Sequence, residues 1–157
     1  YYLTDIKKYA TTFMKNIHGT KFSEVECDSS RYNSISDWAI EIIKKYKCDQ
    51  VALEGYSFGS KGKVFHIAEN TGVLKYKLFQ ESIPVDIIAP TSIKKFATGK
   101  GNADKTAMHD SFVKETFINL HKSITPLKKE VSNPVSDIVD AYYICKMFYD
   151  RINGSTQ

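Results

Sequence analysis

The sequence predicts an α/β fold, a sheet flanked by helices, and three observations carry that reading. Apolar residues Ile35, Trp38, Ala39, Ile42, Ile43 and Tyr46 recur at the spacing of one helical stripe. The apolar runs 50–54 and 84–89 are too short for helices and read as buried strands. Between them, residues 63–81 show a second helical pattern. Helix, strand, helix, strand in that order implies parallel neighbours joined by a crossover.

The elements follow in order. Residues 1–6 read as a strand, and 11–17 with 20–26 as a hairpin turning at His18-Gly19. Asp28-Ser-Ser offers N-caps for the first helix, and Lys44, Lys45 and Lys47 suit the negative end of its dipole. The second helix would turn Val64, Ile67, Ala68, Thr71, Leu74, Lys75 and Leu78 to one side. Gly72 in its middle costs about 1 kcal/mol relative to alanine, so another backbone is expected to approach it. Thr91 caps a short helix through Ala97 that Gly99 stops, and Asn102 caps another from Ala103. Pro126 breaks whatever helix precedes it. Asn133-Pro134 then starts a long helix with Ile138, Ala141, Tyr142, Cys145, Tyr149 and Ile152 inward.

At 157 residues the chain suits a single domain. No apolar run reaches the roughly 20 residues a spanning helix needs, and no signal-peptide pattern opens the sequence. The expectation is a cytoplasmic protein with no membrane partner. The three cysteines are scattered and never form Cys-x-x-Cys, which argues against disulfide staples or a zinc knuckle. Net charge is +4, but lysines gather at 44–47, 61–63, 75–77, 94–105 and 128–129 among many aromatic residues. Such clusters suit a nucleic-acid surface or, more plainly, a solvated basic face.

Three carboxylates stand where chemistry is feasible. Glu54 closes the apolar run Val51-Ala-Leu and opens the loop Gly55-Tyr-Ser-Phe-Gly-Ser-Lys-Gly-Lys63. In α/β proteins ligands collect beyond the carboxyl ends of strands; the plainer alternative is an acid facing water or a lysine. Asp137 and Asp140 lie at i and i+3 in the last helix, where two like charges repel unless a cation offsets them. Aspartates near a helix start are also favoured without any ligand. If the three acids converge, they form a hard-oxygen site suited to Mg²⁺ or Mn²⁺, of the kind that cleaves phosphodiesters.

The segment Ser92-Ile-Lys-Lys-Phe-Ala-Thr-Gly-Lys-Gly-Asn-Ala-Asp-Lys105 is the other informative stretch. With Asn102 as cap, Lys105 would fall at N3, where the helix dipole disfavours a cation. A lysine there beside two glycines suits an anionic ligand approached by backbone amides. It is not a nucleotide P-loop, because no glycine immediately precedes Lys105. Gly55-Tyr-Ser-Phe-Gly59 has the lettering of a nucleophile elbow, but no aspartate and histidine follow in the order a serine hydrolase uses. His18, His66, His109 and His121 show no ligand spacing.

Taken together, Glu54 after its strand, residues 89–105, and Asp137-Ile-Val-Asp140-Ala141 resemble the RuvC family of crossover-junction endodeoxyribonucleases. The likeness runs over about residues 48–150 and is greatest to phage-borne members. It implies an RNase H-like fold, a mixed five-stranded sheet flanked by helices. It implies a metal-dependent nuclease that cuts four-way DNA junctions as a homodimer, with two Mg²⁺ (or Mn²⁺) ions per site. By the same likeness Glu54, Asp137 and Asp140 would be metal ligands, and Lys94 and Lys105 would neutralise the scissile phosphate. Lys61, Lys63, Lys95 and Lys100 would hold the DNA backbone. Tyr56 and Phe58 flank Ser57, the position at which the family places a base-stacking aromatic.

One departure stands out. The family opens on a strand bearing Asp-x-Gly, whose aspartate completes the metal site, and this sequence contains no such motif. Asp5 precedes Ile-Lys-Lys and lacks the glycine. Residues 1–6 read as the following strand, so the expectation is one nuclease domain over 1–157, N-terminally incomplete. Two alternatives stay open: a junction-binding module that does not cut, or a nuclease acting on flaps or RNA–DNA hybrids.

Overall fold

The computed structural model describes residues 27–56 and 64–154. The strands expected over 1–6, 11–17 and 20–26 lie outside those residues, as do Ser57, Phe58, Lys61 and Lys63. The described chain falls into two compact units, one ending at Ala89 and the other starting at Pro90.

The first unit holds α1 (Asp28–Tyr46), β1 (Val51–Glu54), α2 (Val64–Gln80) and β2 (Val85–Ile88). β1 and β2 pair in parallel, with Val51 opposite Val85 and Glu54 opposite Ile88. Bonds from Val51 N to the Pro84 carbonyl (3.0 Å) and from Gly55 N to the Ile88 carbonyl (2.8 Å) carry the ladder past both ends. The crossover predicted from the element order is therefore present, with α2 as its helix.

α1 packs on α2. Its N-cap is Cys27, in extended conformation and without a side-chain cap bond, so the helix starts on Asp28 instead of being capped by it. At the other end Lys47 adopts the left-handed conformation and its amide reaches the Ile43 and Lys44 carbonyls. The residues α1 buries fully are Tyr32, Ser36 and Ile40. The expected stripe is thus rotated: Trp38 and Ile42 are only half-buried, and Tyr46 is exposed. A serine at the centre of the seam is what hides it from a count of apolar letters. Lys77 on α2 ties the helices together, donating to Asn33 Oδ1 at 2.7 Å and pairing with Asp37. On α2, Leu78 is fully buried but Ile67 is exposed. Among the described residues no other backbone approaches Gly72, since a Cβ there would find no atom beyond its own helix within 4 Å.

The second unit holds α3 (Pro90–Thr98), α4 (Lys105–Thr116), α5 (Leu120–Ile124) and α6 (Val135–Gly154). α3, α4 and α6 pack on one another, and α5 rests on α6. Ile93, Met108, Phe112, Leu120, Val135, Ile138, Val139 and Tyr143 form the core. An edge-to-face contact of Phe112 with Tyr142 (5.0 Å) joins α4 to α6, and Tyr142 meets Tyr143 edge-on within α6 (5.1 Å), a geometry that suits ring quadrupoles.

Three helix starts in this unit differ from expectation, the first being α3, which begins at Pro90 so that Thr91 lies inside it and does not cap it. The cap of α4 is Asp104, whose carboxylate accepts from Ala107 N at 2.8 Å. Lys105 is therefore the first helical residue, not the third. α6 begins at Val135, and its buried face runs through Val135, Ser136, Ile138, Val139 and Tyr143. Ala141, Cys145, Tyr149 and Ile152, expected inward, are exposed. Tyr residues misled the count, because a ring at either side of the seam satisfies the same spacing.

Candidate functional site

The carboxylates Asp137 and Asp140 sit in the first turns of α6, anchored by the buried Val135, Ile138 and Val139 around them. Neither is fully exposed. Burial pushes the Asp140 carboxyl above the usual carboxylate range, and the charge of Asp137 pushes it further; Lys94 and Lys105 pull it part of the way back. The two lysines therefore act on the same carboxylate, although they come from α3 and α4. Lys94 is placed by its neighbour Ile93, which is buried to 1% exposure. Lys105 is placed by the Asp104 cap.

The loop between those lysines is short and internally bonded. Gly99 ends α3 with φ +79, in the left-handed region that a side chain resists. A Cβ on Gly101 would come within 3.3 Å of the Thr91 carbonyl oxygen, so a larger residue would push the loop off α3. Thr98 Oγ1 donates to the Lys94 carbonyl (2.8 Å) and accepts from Lys100 N (3.2 Å). Lys95 and Lys100 are both exposed beside this loop.

Asn133 is the residue that sequence reasoning missed, having been read only as a helix start. Its Oδ1 accepts from Lys105 Nζ at 3.1 Å and from Ser136 Oγ at 2.8 Å. Ser136 Oγ also lies 3.3 Å from Asp137 Oδ1. The available signal was the run Asn133-Pro-Val-Ser136-Asp137, with three polar side chains inside one helical turn.

Of the remaining sequence-derived candidates, Glu54 lies in the other unit, exposed at the carboxyl end of β1. Tyr56 follows it, 42% exposed, with Lys75 Nζ 5.3 Å from its ring centroid. One ring face is thereby occupied by a cation, an interaction worth about 0.5–1 kcal/mol at an exposed site. Among the described residues no three His, Cys, Asp or Glu side chains are grouped as a bound metal would need. None of the described helices is long and apolar enough to cross a membrane.

A pair of part-buried carboxylates on one helix, faced by lysines from two others beside a glycine loop, sits here on a chain of RNase H-like α/β fold. That fold is seen in Thermus thermophilus RuvC, which superimposes with a TM-score of 0.60 at 20% identity over 87% of this chain and 79% of that one. The same protein in complex with a Holliday junction substrate matches equally well. The family model "Crossover junction endodeoxyribonuclease RuvC" matches residues 14–141, and the chain belongs to that family. The RuvC of Helicobacter hepaticus is 32% identical over 112 residues, covering 71% of this chain and 55% of that protein. The RuvC of Campylobacter concisus is 33% identical over 104 residues, covering 66% of this chain and 59% of that protein. The chain thus spans little more than half the length of these two relatives.

Proposed function

We propose that this protein is a divalent-metal-dependent endonuclease that cuts branched DNA, four-way junctions above all. The observation that carries the reading is the convergence of Lys94 and Lys105 on Asp140 beside Asp137, in a chain of a crossover-junction endodeoxyribonuclease family. Two adjacent carboxylates, one held above its usual range by burial and by its neighbour, form a donor set that a Mg²⁺ or Mn²⁺ ion would relieve. Asp137 and Asp140 would hold such an ion, with Glu54 as a third ligand on the strength of the sequence resemblance.

A bound pair of ions would activate water and stabilise the leaving oxygen. The chain's own share is to place Lys94 and Lys105 where charge builds on the scissile phosphate. Lys95 and Lys100, exposed beside the loop, would hold the DNA backbone, with Lys61 and Lys63 in the same role. Tyr56 and Phe58 would stack on unpaired bases. We place the protein in the cytoplasm of a bacterial or virus-infected cell, acting as one RNase H-like domain.

Two symmetric nicks on a junction call for two active sites, and hence a homodimer. On α2, Phe65, Tyr76 and Phe79 lie along one face and are 75%, 61% and 77% exposed. An apolar stripe of this kind is commonly covered by a protein partner, and a second copy of the chain is the partner proposed.

A labelled four-way junction incubated with the protein in Mg²⁺ and in chelator tests the reading. Nicks in Mg²⁺ alone support it. Binding that persists in chelator with no nicks in either condition favours the alternative of a junction-binding module. Preference for flaps or RNA–DNA hybrids would instead redefine the substrate.

A further inference from the structure

We infer that Asn133 is a positioning residue that sets Lys105 against the first turn of α6, the turn that carries Asp137; the inference rests on the nuclease reading above. Its amide oxygen accepts from Lys105 Nζ at 3.1 Å and from Ser136 Oγ at 2.8 Å, and Ser136 Oγ reaches Asp137 Oδ1 at 3.3 Å. One oxygen atom therefore links a cation at the start of α4 to Ser136, the neighbour of Asp137 in the first turn of α6.

The orientation of the amide follows from chemistry. An ammonium group has only donors, so the atom facing Lys105 must be the oxygen and not the nitrogen. Ser136 carries a single hydroxyl proton and is buried to 4% exposure, which leaves its rotation few alternatives. With that proton directed at the nearer Asn133 oxygen, none remains for Asp137, so the tie reaches Asp137 through the backbone of α6, one residue on.

Asn133 is not spent on the task its place before a helix suggests. A capping asparagine accepts from a backbone amide two or three residues on. Here the Ser136 amide donates instead to the Ser132 carbonyl (3.2 Å), and among the described residues the Asn133 side chain binds two side chains, Lys105 and Ser136. The backbone of Asn133 is itself fixed, since Lys128 Nζ donates to its carbonyl (2.9 Å) and to Ser132 Oγ (2.9 Å). A rigid backbone carrying an amide that ties a lysine to the helix turn bearing the carboxylates is how a supporting residue holds reactive groups in register.

Asn133→Ala and Asn133→Asp test this in the full-length chain, each read by junction-cleavage kinetics, by thermal midpoint and by the side-chain NMR signal of Lys105. Asn133→Ala is expected to lower kcat about 10–100-fold, as outer partners of reactive groups commonly do, with KM for the junction and the thermal midpoint little changed. The Lys105 signal should move in Asn133→Ala and return towards its original position in Asn133→Asp, which keeps an acceptor oxygen in place. An unmoved Lys105 signal in Asn133→Ala overturns the inference, and so does a moved signal with unchanged kcat. If the unaltered protein cuts nothing, the nuclease reading falls and the positioning role with it, while the Lys105 signal still reports whether the Asn133 tie exists.

Discussion

Asp140 stands one helical turn after Asp137 on α6, and the charge of Asp137 opposes the ionisation of Asp140. The nearby charges of Lys94 and Lys105 partly compensate, but both lysines are donors with an obvious second use as partners for a phosphate. On the proposed reading, DNA would draw on those lysines and the carboxylate pair would then need another cation. That competition would give the second unit a physical reason to bind metal and DNA together.

Glu54→Gln tests the acid in the other unit. The substitution removes a charge at an exposed strand end and should leave folding intact. Junction nicking is expected to disappear, while junction affinity, measured by gel shift in chelator, stays similar or rises. Unchanged nicking would take Glu54 out of the reaction.

Lys100→Ala addresses the loop after Gly99. An exposed lysine that contacts phosphate contributes about one unit to the slope of log K against log salt. The variant should bind all DNA sequences more weakly, with a shallower slope. A loss confined to one sequence would mean that Lys100 reads bases.

His109 predicts a pH dependence of stability. It is 4% exposed, and its Nε2 accepts from the His121 amide at 3.2 Å, so the neutral ring carries its proton on Nδ1. Burial holds its pKa below the ordinary histidine value; Asp110 opposes this and His121 adds to it. A folded-state pKa below the unfolded one means that the unfolded chain binds more protons as pH falls. The stabilisation is therefore fully present above the unfolded value of about 6.5 and is lost as pH falls from there through the folded value. Thermal midpoints of the unaltered protein should drop over that range, and His109→Gln should flatten the drop. An equal drop in both would place the acid sensitivity elsewhere.

Phe112→Ala measures the core beneath the site. The ring is fully buried and meets Tyr142 edge-on. Its loss should cost about 3–5 kcal/mol in denaturant unfolding. A cost below 1 kcal/mol would mean that α4 and α6 are held by something other than this packing.

The parallel pair and its crossover helix were legible because buried strands and helices differ in length and period. Lys105 stood out in the sequence because a cation near a helix start breaks a local preference, Asp137 and Asp140 because of their i, i+3 spacing, and Lys94 through the family resemblance alone. Other features were not. The α1 seam is centred on Ser36, which carries no apolar signal. Both Asn102 and Asp104 have capping side chains, and only the bond to Ala107 distinguishes them. Asn133 read as a helix start because sequence spacing cannot show that its oxygen turns to a lysine 28 positions earlier.

The central claim is that Asp137, Asp140 and their lysines form the cutting site. Single-turnover cleavage of a four-way junction by the unaltered protein and by Asp140→Asn, followed across Mg²⁺ concentrations, tests it most directly. The account predicts Mg²⁺-dependent nicking by the former. For Asp140→Asn it predicts a loss greater than the roughly 100-fold upper range of supporting residues, with junction binding retained. Nicking by Asp140→Asn at the unaltered rate and the same Mg²⁺ dependence would contradict it.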